Sequence, residues 1–585
     1  MMGVLEGLNQ SQRRAAEVGE GPVAIVAGPG TGKTKTLTAR IAYLVESGRA
    51  KPDQILALTF TKKAAEEMQK RLQYNIPNFC EVRPRKGQKD GVVNVSTFHG
   101  LCYELLHDET PFATEAERLQ IIKSLLRPKS LKELSARELG LIISRAKNST
   151  EASEPDVAKA VRAYNKALAS HDLRDFDDLL LKARELLKSD KEVRQKTQKR
   201  YRYILVDEFQ DTNRLQYEIL KLLLRHQNIL IIGDPNQSIY GFRGASGTVF
   251  EQFRADFPNH TRIALTTNYR SVPQIVRLSN SLFEEAPSLE AASGGSGLVR
   301  AVEVLNEYSE AQWVLNEIQR GIGGGDLLTA VSDDLRTHHR RLSDFAVLYR
   351  SRPAAAVFQK LLAESGLPYQ VVGDGSPYDH PCIQAIVTLL KNALSGEPVN
   401  LEGYGSAQRR LLEQELAAAH EALPAALVEK LIDILGIEPS RDLQQLASVI
   451  VRFKDVSSAV KYFDKIAGSG FYDPTADAIT LLTVHASKGL EFPHVFLIGA
   501  EEGILPSARG DEAEEKRLFY VAATRARERL EVLHARNRGG QKSEASRFIK
   551  NLPPDVLKRL VDPEMETQAR RIAKRAAKNS QTSLF

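Results

Sequence analysis

Short apolar runs punctuate this chain, and a polar or glycine-rich signature follows nearly every one. Val23-Ala24-Ile25-Val26 runs into Ala27-Gly28-Pro29-Gly30-Thr31-Gly32-Lys33-Thr34, and Tyr203-Ile204-Leu205-Val206 runs into Asp207-Glu208. Ile55-Leu56-Ala57-Leu58 leads to Thr59-Phe60-Thr61, and the run from Val93 to Val95 leads to Thr97-Phe98-His99. Ile229-Leu230-Ile231-Ile232 precedes Gly233-Asp234-Pro235-Asn236-Gln237. Phe345-Ala346-Val347-Leu348 precedes Tyr349-Arg350-Ser351, and the run from Ile479 to Leu482 precedes Thr483-Val484-His485. Runs this short and this apolar predict parallel strands buried on both faces, with function carried at their C-terminal ends. Helical stretches separate them, so the class is α/β.

Two segments break the rhythm. Residues 101–198 and 379–475 are mostly helical in pattern, and the strand series resumes after each. They read as helical insertions into two α/β cores. The glycine-rich stretches at 293–297 and 321–325 predict surface loops. With 585 residues the chain is too long for one core and predicts several domains.

Composition narrows the class only a little. At 42% hydrophobic and 26% charged, the chain reads as globular. No apolar stretch has the length of a membrane span, and Met1 to Glu6 lacks a basic segment followed by an apolar run. Three scattered cysteines form neither a zinc spacing nor a disulfide framework and suit a reducing compartment. The expectation is a cytoplasmic protein with no membrane partner. A net charge of +6 is compatible with a polyanionic partner. Arginine and lysine cluster at 83–86 and again between Arg570 and Lys578.

Candidate chemistry begins at Ala27–Thr34. A strand entering a glycine-rich turn, then Lys-Thr and a helix, is a phosphate loop. Its backbone N–H groups would wrap phosphate oxygens, Lys33 would reach the outer phosphates, and the Thr34 hydroxyl would bind Mg²⁺. Ala27 stands where the strict pattern has Gly. Asp207-Glu208, at the end of another apolar strand, supplies a metal-holding carboxylate and one that acts on the attacking water. The pair continues as Phe209-Gln210-Asp211, a polar group that is costly in a core but sensible at a catalytic edge. Together the two signatures predict nucleoside triphosphate hydrolysis.

The ordered series of motifs resembles the superfamily 1 helicases of the UvrD/Rep/PcrA type. It runs from Leu8–Arg13 through the phosphate loop, Thr59–Ala65, Thr97–His99, Asp175–Leu180 and Val206–Asp211 to Gly233–Ala245. Asn268–Ser271, Tyr349–Ser351, Thr483–Phe492 and Arg517–Ala526 follow. The resemblance covers roughly residues 8–550 and implies two RecA-like P-loop cores with parallel sheets, each interrupted by a helical insertion. On that pattern core 1A takes 1–100 and 199–275, insertion 1B 101–198, core 2A 276–378 and 476–553, and insertion 2B 379–475. Residues 554–585 form a basic tail. The implied activity is an ATP-dependent 3′→5′ DNA helicase using Mg²⁺, acting on single-stranded and 3′-tailed duplex DNA in repair, replication or recombination.

The family pattern also implies individual roles. Gln12 would read the adenine edge and Tyr269 would stack on the base, while Glu491 would bind the ribose. Gln237 would sense the γ-phosphate. Arg270 and Arg525 would be cationic fingers on it, with Arg525 supplied by the second core so that hydrolysis depends on closure. The other reading of Arg525 is a helix-surface arginine. Phe60, Phe98, Tyr240 and Phe242 would stack on bases, and His99, Arg243, Arg350, Thr483 and His485 would make the polar contacts. Core packing is the alternative for each ring and for His485. Lys35, where Arg is frequent, puts a bidentate phosphate contact in doubt. Phe242 and Lys62 replace a usual Trp and Asn.

Insertion 379–475 is shorter than in the best-known members of the group. That keeps a second reading open, a single-strand translocase that strips or remodels protein–DNA complexes with little unwinding. A helicase–nuclease would need a domain for which the residues after Ile549 are too few. RNA as substrate is not excluded by the residues. Gln581-Thr582-Ser583-Leu584-Phe585 resembles the Gln-x-x-Leu-Phe peptide that docks on sliding clamps. Gln581, Leu584 and Phe585 would be its anchors, with a frayed terminus as the alternative.

Overall fold

The computed structural model describes residues 4–75, 91–126, 134–149, 154–241, 244, 247–323, 340–372, 381–395, 405–437, 443, 446–447, 450–451, 453–466 and 472–563. The chain divides into two compact units. The first is Met1–Gly297 with Gly510–Thr524, and the second is Leu298–Arg509 with Arg525–Phe585.

In the first unit six strands form one sheet: β1 (Val23–Ala27), β2 (Ile55–Thr59), β3 (Asn94–Thr97), β4 (Tyr203–Val206), β5 (Ile229–Gly233) and β6 (Thr261–Leu265). Their order is β3-β2-β4-β5-β1-β6, and every neighbouring pair is parallel. The central strands are apolar from end to end because helices cover both faces of the sheet. The register pairs Val26 with Gly233 and Val206 with Ile231. The exits of β4, β5 and β1 therefore lie side by side on one edge. A parallel two-residue pair, β7 (Thr267–Asn268) and β8 (Glu290–Ala291), stands beyond β6.

Between β3 and β4 the chain is helical: Phe98–Leu106, Glu115–Leu125, Ala136–Asn148, Pro155–Ser170, Phe176–Ser189 and Lys191–Arg200. Thr114/Glu117, Ser135/Glu138 and Asp175/Asp178 cap three of these helices reciprocally. Leu139, Ile143, Tyr164 and Leu168 form a separate small core there.

The second unit carries β9 (Leu298–Val304), β10 (Phe345–Tyr349), β11 (Tyr369–Val372), β12 (Ile479–Thr483), β13 (Phe492–Leu497), β14 (Ala526–Ala535) and β17 (Lys558–Val561). A short antiparallel pair, β15 (Asn537–Arg538) and β16 (Gln541–Lys542), stands apart. The seven-stranded sheet has the order β11-β12-β10-β13-β14-β9-β17, again parallel throughout. Helices Pro381–Ser395, Ser406–Ala417, Pro424–Leu435 and Val456–Ile466 lie between β11 and β12 and share a core that includes Ile386, Leu412 and Leu431.

One segment crosses between the units in sequence. Helix Glu512–Ala523 packs in the first unit, yet the strands before and after it, β13 and β14, belong to the second.

Candidate functional site

The phosphate loop has the geometry its sequence predicts. β1 ends at Ala27, the turn passes through Gly30 (φ +69°) and Gly32 (φ +81°), and helix Lys33–Glu46 starts at once. Gly32 caps that helix in the left-handed region and brings no side chain to its first amides, which leaves an anion-receiving N-terminus. A Cβ on Gly30 would come within 2.6 Å of the Arg270 Cβ, so the close approach as well as the φ requires glycine.

Two asparagines hold this loop from outside. Asn268 is buried; its Nδ2 donates to the Pro29 carbonyl at 2.8 Å, and its Oδ1 accepts from the amides of Arg270 and Ser271, both at 2.8 Å. The Tyr269 amide donates to the Gly30 carbonyl at 2.8 Å. Asn9 Nδ2 donates to the Tyr269 hydroxyl at 2.8 Å while the Tyr269 ring stays exposed. Gln12 is buried, its Oε1 accepting from the Asn9 amide and its Nε2 donating to the Thr31 carbonyl at 2.9 Å. An adenine contact by Gln12 would therefore use its second N–H. Lys35 Nζ donates to the Gly7 carbonyl at 2.7 Å, a structural use of that ammonium.

Two strands away, Asp207 is buried and hydrogen-bonded by the Thr34 hydroxyl. Burial, and then the adjacent Glu208 charge, push its carboxyl up to about 7, with Lys33 pulling the other way. Glu208 sits at φ +48°, a left-handed conformation uncommon for a non-glycine residue. Gln210 Nε2 donates to its carboxylate at 2.5 Å. Asp234, at the exit of β5 between these groups, accepts from Gln237 Nε2 at 2.8 Å and from the Tyr520 hydroxyl at 3.3 Å. Burial raises the Asp234 pKa as well. Arg270 is half-buried, and its Nη1 lies 3.5 Å from the Thr524 carbonyl.

Among the described residues no group of three or more His, Cys, Asp or Glu could hold a metal by itself. Thr34 and Asp207 nevertheless form an all-oxygen pair beside a phosphate loop, and that donor set suits a hard cation completed by water and phosphate oxygens.

A second cavity of about 680 Å³ opens on the same unit. It lies between the exits of β2, β3 and β5 on one side and helices Glu115–Leu125, Ala136–Asn148 and Phe176–Ser189 on the other. Phe60 and Tyr240 stack there, with ring centroids 5.1 Å apart and planes 15° from parallel. His99 packs edge-on against Phe176, which is 58% exposed and stacked on Phe112. Burial lowers the His99 pKa, opposed by Asp177. Phe98, expected among the stacking rings, is 5% exposed and packs in the core with Leu101 and Val206, because it opens a helix whose inner face covers the sheet. Phe242 and Arg243 lie outside the described residues.

The remaining expected residues belong to the second unit. β10 and β12 are neighbours, and Tyr349 pairs with Thr483. Arg350, Thr483 and His485, all half-buried, therefore share one edge of the second sheet. Glu491 is exposed and lies 3.9 Å from Arg527. Arg525 is not a helix-surface residue. It sits between helix Glu512–Ala523 and β14, is 1% exposed, and donates from Nη1 to the Leu490 carbonyl at 3.0 Å. Gln581, Leu584 and Phe585 lie outside the described residues.

Three residues in these constellations were not singled out from sequence, Asn268, Tyr520 and Phe176, and Gln210 was noted only as part of a polar strand end. Each stands inside a motif that had been recognised, so the signal was membership in the motif rather than residue chemistry.

Comparison with known proteins gives the family. The model of the UvrD/REP helicase N-terminal domain matches residues 8–258, and that of the UvrD-like helicase C-terminal domain matches 263–396 and 468–537. The ATP-dependent DNA helicase PcrA of Bacillus subtilis (strain 168) is 30% identical over 97% of this chain and 88% of its own length. The protein of the same name from Staphylococcus aureus (strain MRSA252) is 28% identical over 100% of this chain and 92% of its own. The two parallel sheets are RecA-like cores, and the chain belongs to the UvrD/REP helicase family.

Proposed function

We propose that this chain is an ATP-dependent DNA helicase that hydrolyses ATP at the phosphate loop and moves 3′→5′ along single-stranded DNA, opening duplex ahead of it. The observation that carries the reading is one short loop. It leaves β5 at Asp234, beside the candidate hydrolytic carboxylates, and reaches Tyr240, stacked on Phe60 in the second cavity. A base inserted at that aromatic pair would act on the same loop that borders Asp207 and Glu208. Such stacking is worth roughly 1–3 kcal/mol per base and tolerates any sequence.

In this reading the loop N–H groups between Gly28 and Gly32, Pro29 excepted, and Lys33 bind the phosphates, Tyr269 stacks on the adenine, and Gln12 and Glu491 contact the base and ribose. Glu208 orients the attacking water, and Gln237, Arg270 and Arg525 answer charge on the γ-phosphate. Thr34 and Asp207 would hold Mg²⁺, which supplies charge neutralisation at the phosphates when bound. His99, Arg350, Thr483 and His485 contact the strand. The domain assignment goes with this reading: core 1A at 1–100 and 199–275, core 2A at 276–378 and 476–553, and insertions at 101–198 and 379–475, except that 276–297 and 510–524 pack with the first unit.

ATPase and strand-displacement assays on 3′-tailed, 5′-tailed and blunt DNA test it. Displacement confined to 3′-tailed substrate is expected; displacement of 5′-tailed substrate would overturn the direction. The shortness of the insertion at 379–475 is what supports the second reading, a translocase with weak unwinding. Streptavidin removal from a single strand without duplex opening would select it. The Gln581–Phe585 peptide would tether the motor to a sliding clamp. A truncation at Ser580 should then lose clamp binding in a calorimetric titration and keep its ATPase on naked DNA.

A further inference from the structure

We propose that Gln210 is a positioning residue that couples single-strand occupancy to the orientation of the Glu208 carboxylate. The proposal rests on the function proposed above and adds the connection between its two sites.

Gln210 is fully buried, and both ends of its side chain are committed. Nε2 donates to Glu208 Oε2 at 2.5 Å, and Oε1 accepts from the Asp234 amide at 3.0 Å. Its carbonyl accepts from Ser238 Oγ at 3.1 Å. Gly233 makes room for it: a Cβ there would overlap the Gln210 amide oxygen. One side chain therefore bridges the exits of β4 and β5. The side chain holds the β5 loop at the Asp234 amide, and the Gln210 main-chain carbonyl holds it at Ser238, two residues before Tyr240.

The chemistry of the position is specific. Glu208 needs a neutral donor, because a carboxylate at 210 would repel it. The Asp234 amide needs an acceptor, because a buried N–H left unpaired is costly. Only an amide of this length supplies both ends. Glu208 is also held in an uncommon left-handed backbone conformation, so its side chain depends on a partner for its aim. Displacing Tyr240 from Phe60 would pull on Ser238, tied to the Gln210 main chain, and on Asp234, tied through the Gln210 side chain to Glu208. A hydrogen-bonded chain of this kind is the physical form that coupling between two sites requires.

The test is steady-state and single-turnover ATPase of Gln210→Ala and Gln210→Glu, with and without poly(dT), beside wild type and Glu208→Gln. Both Gln210 variants should keep KM for ATP within about threefold, while the ratio of DNA-stimulated to unstimulated kcat falls at least about tenfold. Gln210→Glu retains the acceptor for the Asp234 amide and the side-chain volume, so it reports on coupling if Gln210→Ala melts early. The double variant with Glu208→Gln should lose no more than Glu208→Gln alone. An unchanged stimulation ratio in both variants, or equal losses with and without DNA, would overturn the proposal. Wild type without DNA stimulation, or full turnover by Glu208→Gln, would instead refute the underlying functional reading.

Discussion

In the proposed reaction Lys33 and Glu208 would act through different terms, so their substitutions should separate. Lys33→Ala removes a positive charge from the phosphate site and should weaken nucleotide binding together with turnover. Glu208→Gln keeps the volume and the left-handed turn but removes the carboxylate, and should trap bound ATP with at least about 100-fold slower turnover. Filter-binding with labelled ATP beside a phosphate-release assay checks both; near-normal turnover by Glu208→Gln would sink its assignment. Asn268 gives a sharper case, because its chemistry is wholly structural. Asn268→Ala would delete three hydrogen bonds that hold Pro29, Arg270 and Ser271, at about 1 kcal/mol each. Nucleotide affinity should fall roughly tenfold or more, since 1.4 kcal/mol is a factor of ten. Affinity within twofold of wild type, by fluorescent-nucleotide titration, would mean that the loop holds its shape without Asn268. Lys33, Thr34, Asp207 and Glu208 were legible because phosphate chemistry names their residue types. Asn268 and Gln210 were not, because a buried amide carries no such signature until its partners are seen.

At the scale of elements, the strands legible in the sequence were those buried on both faces, such as β2, β5 and β10. β14 was not read as a strand, since its start alternates Arg527, Glu528 and Arg529 before the apolar part. Its centre carries an unexpected charge: Glu531 is fully buried in the sheet. It accepts from Trp313 Nε1 at 3.0 Å and from Arg300 Nε at 2.9 Å, and His494 Nε2 lies 2.9 Å away. Burial alone would raise its pKa, but the bond from His494 and the charges around it bring the carboxyl down to about 2. Burial also lowers the His494 pKa, so the pair is ionised carboxylate and neutral imidazole. Both groups bind more protons unfolded than folded as pH drops. The histidine contribution is lost as pH falls through the ordinary value of 6.5, and the carboxylate contribution as it falls from 4.5 toward 2. This pair's contribution should therefore decline from pH 7 to pH 4, seen as a narrowing gap in thermal midpoint between wild type and Glu531→Ala, while the raised carboxyls of Asp207 and Asp234 act in the opposite sense over that range. Glu531→Ala should destabilise at neutral pH by roughly 3–5 kcal/mol, because it takes the shared acceptor from buried His494 and from half-buried Trp313 and Arg300 at once. A variant melting within two degrees of wild type at pH 7 would show that Arg300 finds full compensation elsewhere, Glu317 at 2.9 Å being the available partner.

For the whole molecule, the informative feature is the helix Glu512–Ala523, which packs in one unit while its chain neighbours build the other. The sequence pattern grouped it with the second core, because motif order follows the chain and packing does not. Its docking is polar and directional. Arg517 Nε donates to the Ser238 carbonyl at 2.7 Å, Glu514 accepts from the Gly241 amide at 3.2 Å, and Tyr520 reaches Asp234 at 3.3 Å. Phe283 packs edge-on against Tyr520, and Lys516 lies over the Phe283 ring. All three hydrogen bonds fall on the β5 loop, the segment that joins the candidate hydrolytic and base-stacking groups. The same helix leads within two residues of its end to Arg525, the proposed finger. A movement of the β5 loop would thus be passed to the start of β14 by a rigid helix rather than by a flexible linker. Arg517→Ala removes one tie and keeps the apolar docking, so the protein should fold. Loss of a single half-buried hydrogen bond of this kind is usually small in stability, about 1 kcal/mol. The expected defect is in coupling: ATP hydrolysed per nucleotide translocated should rise at least about twofold, with ATP affinity little changed. Stopped-flow translocation on dye-labelled strands, run beside phosphate release, measures that ratio. A ratio equal to wild type would show that the Arg517–Ser238 bond takes no part in coupling.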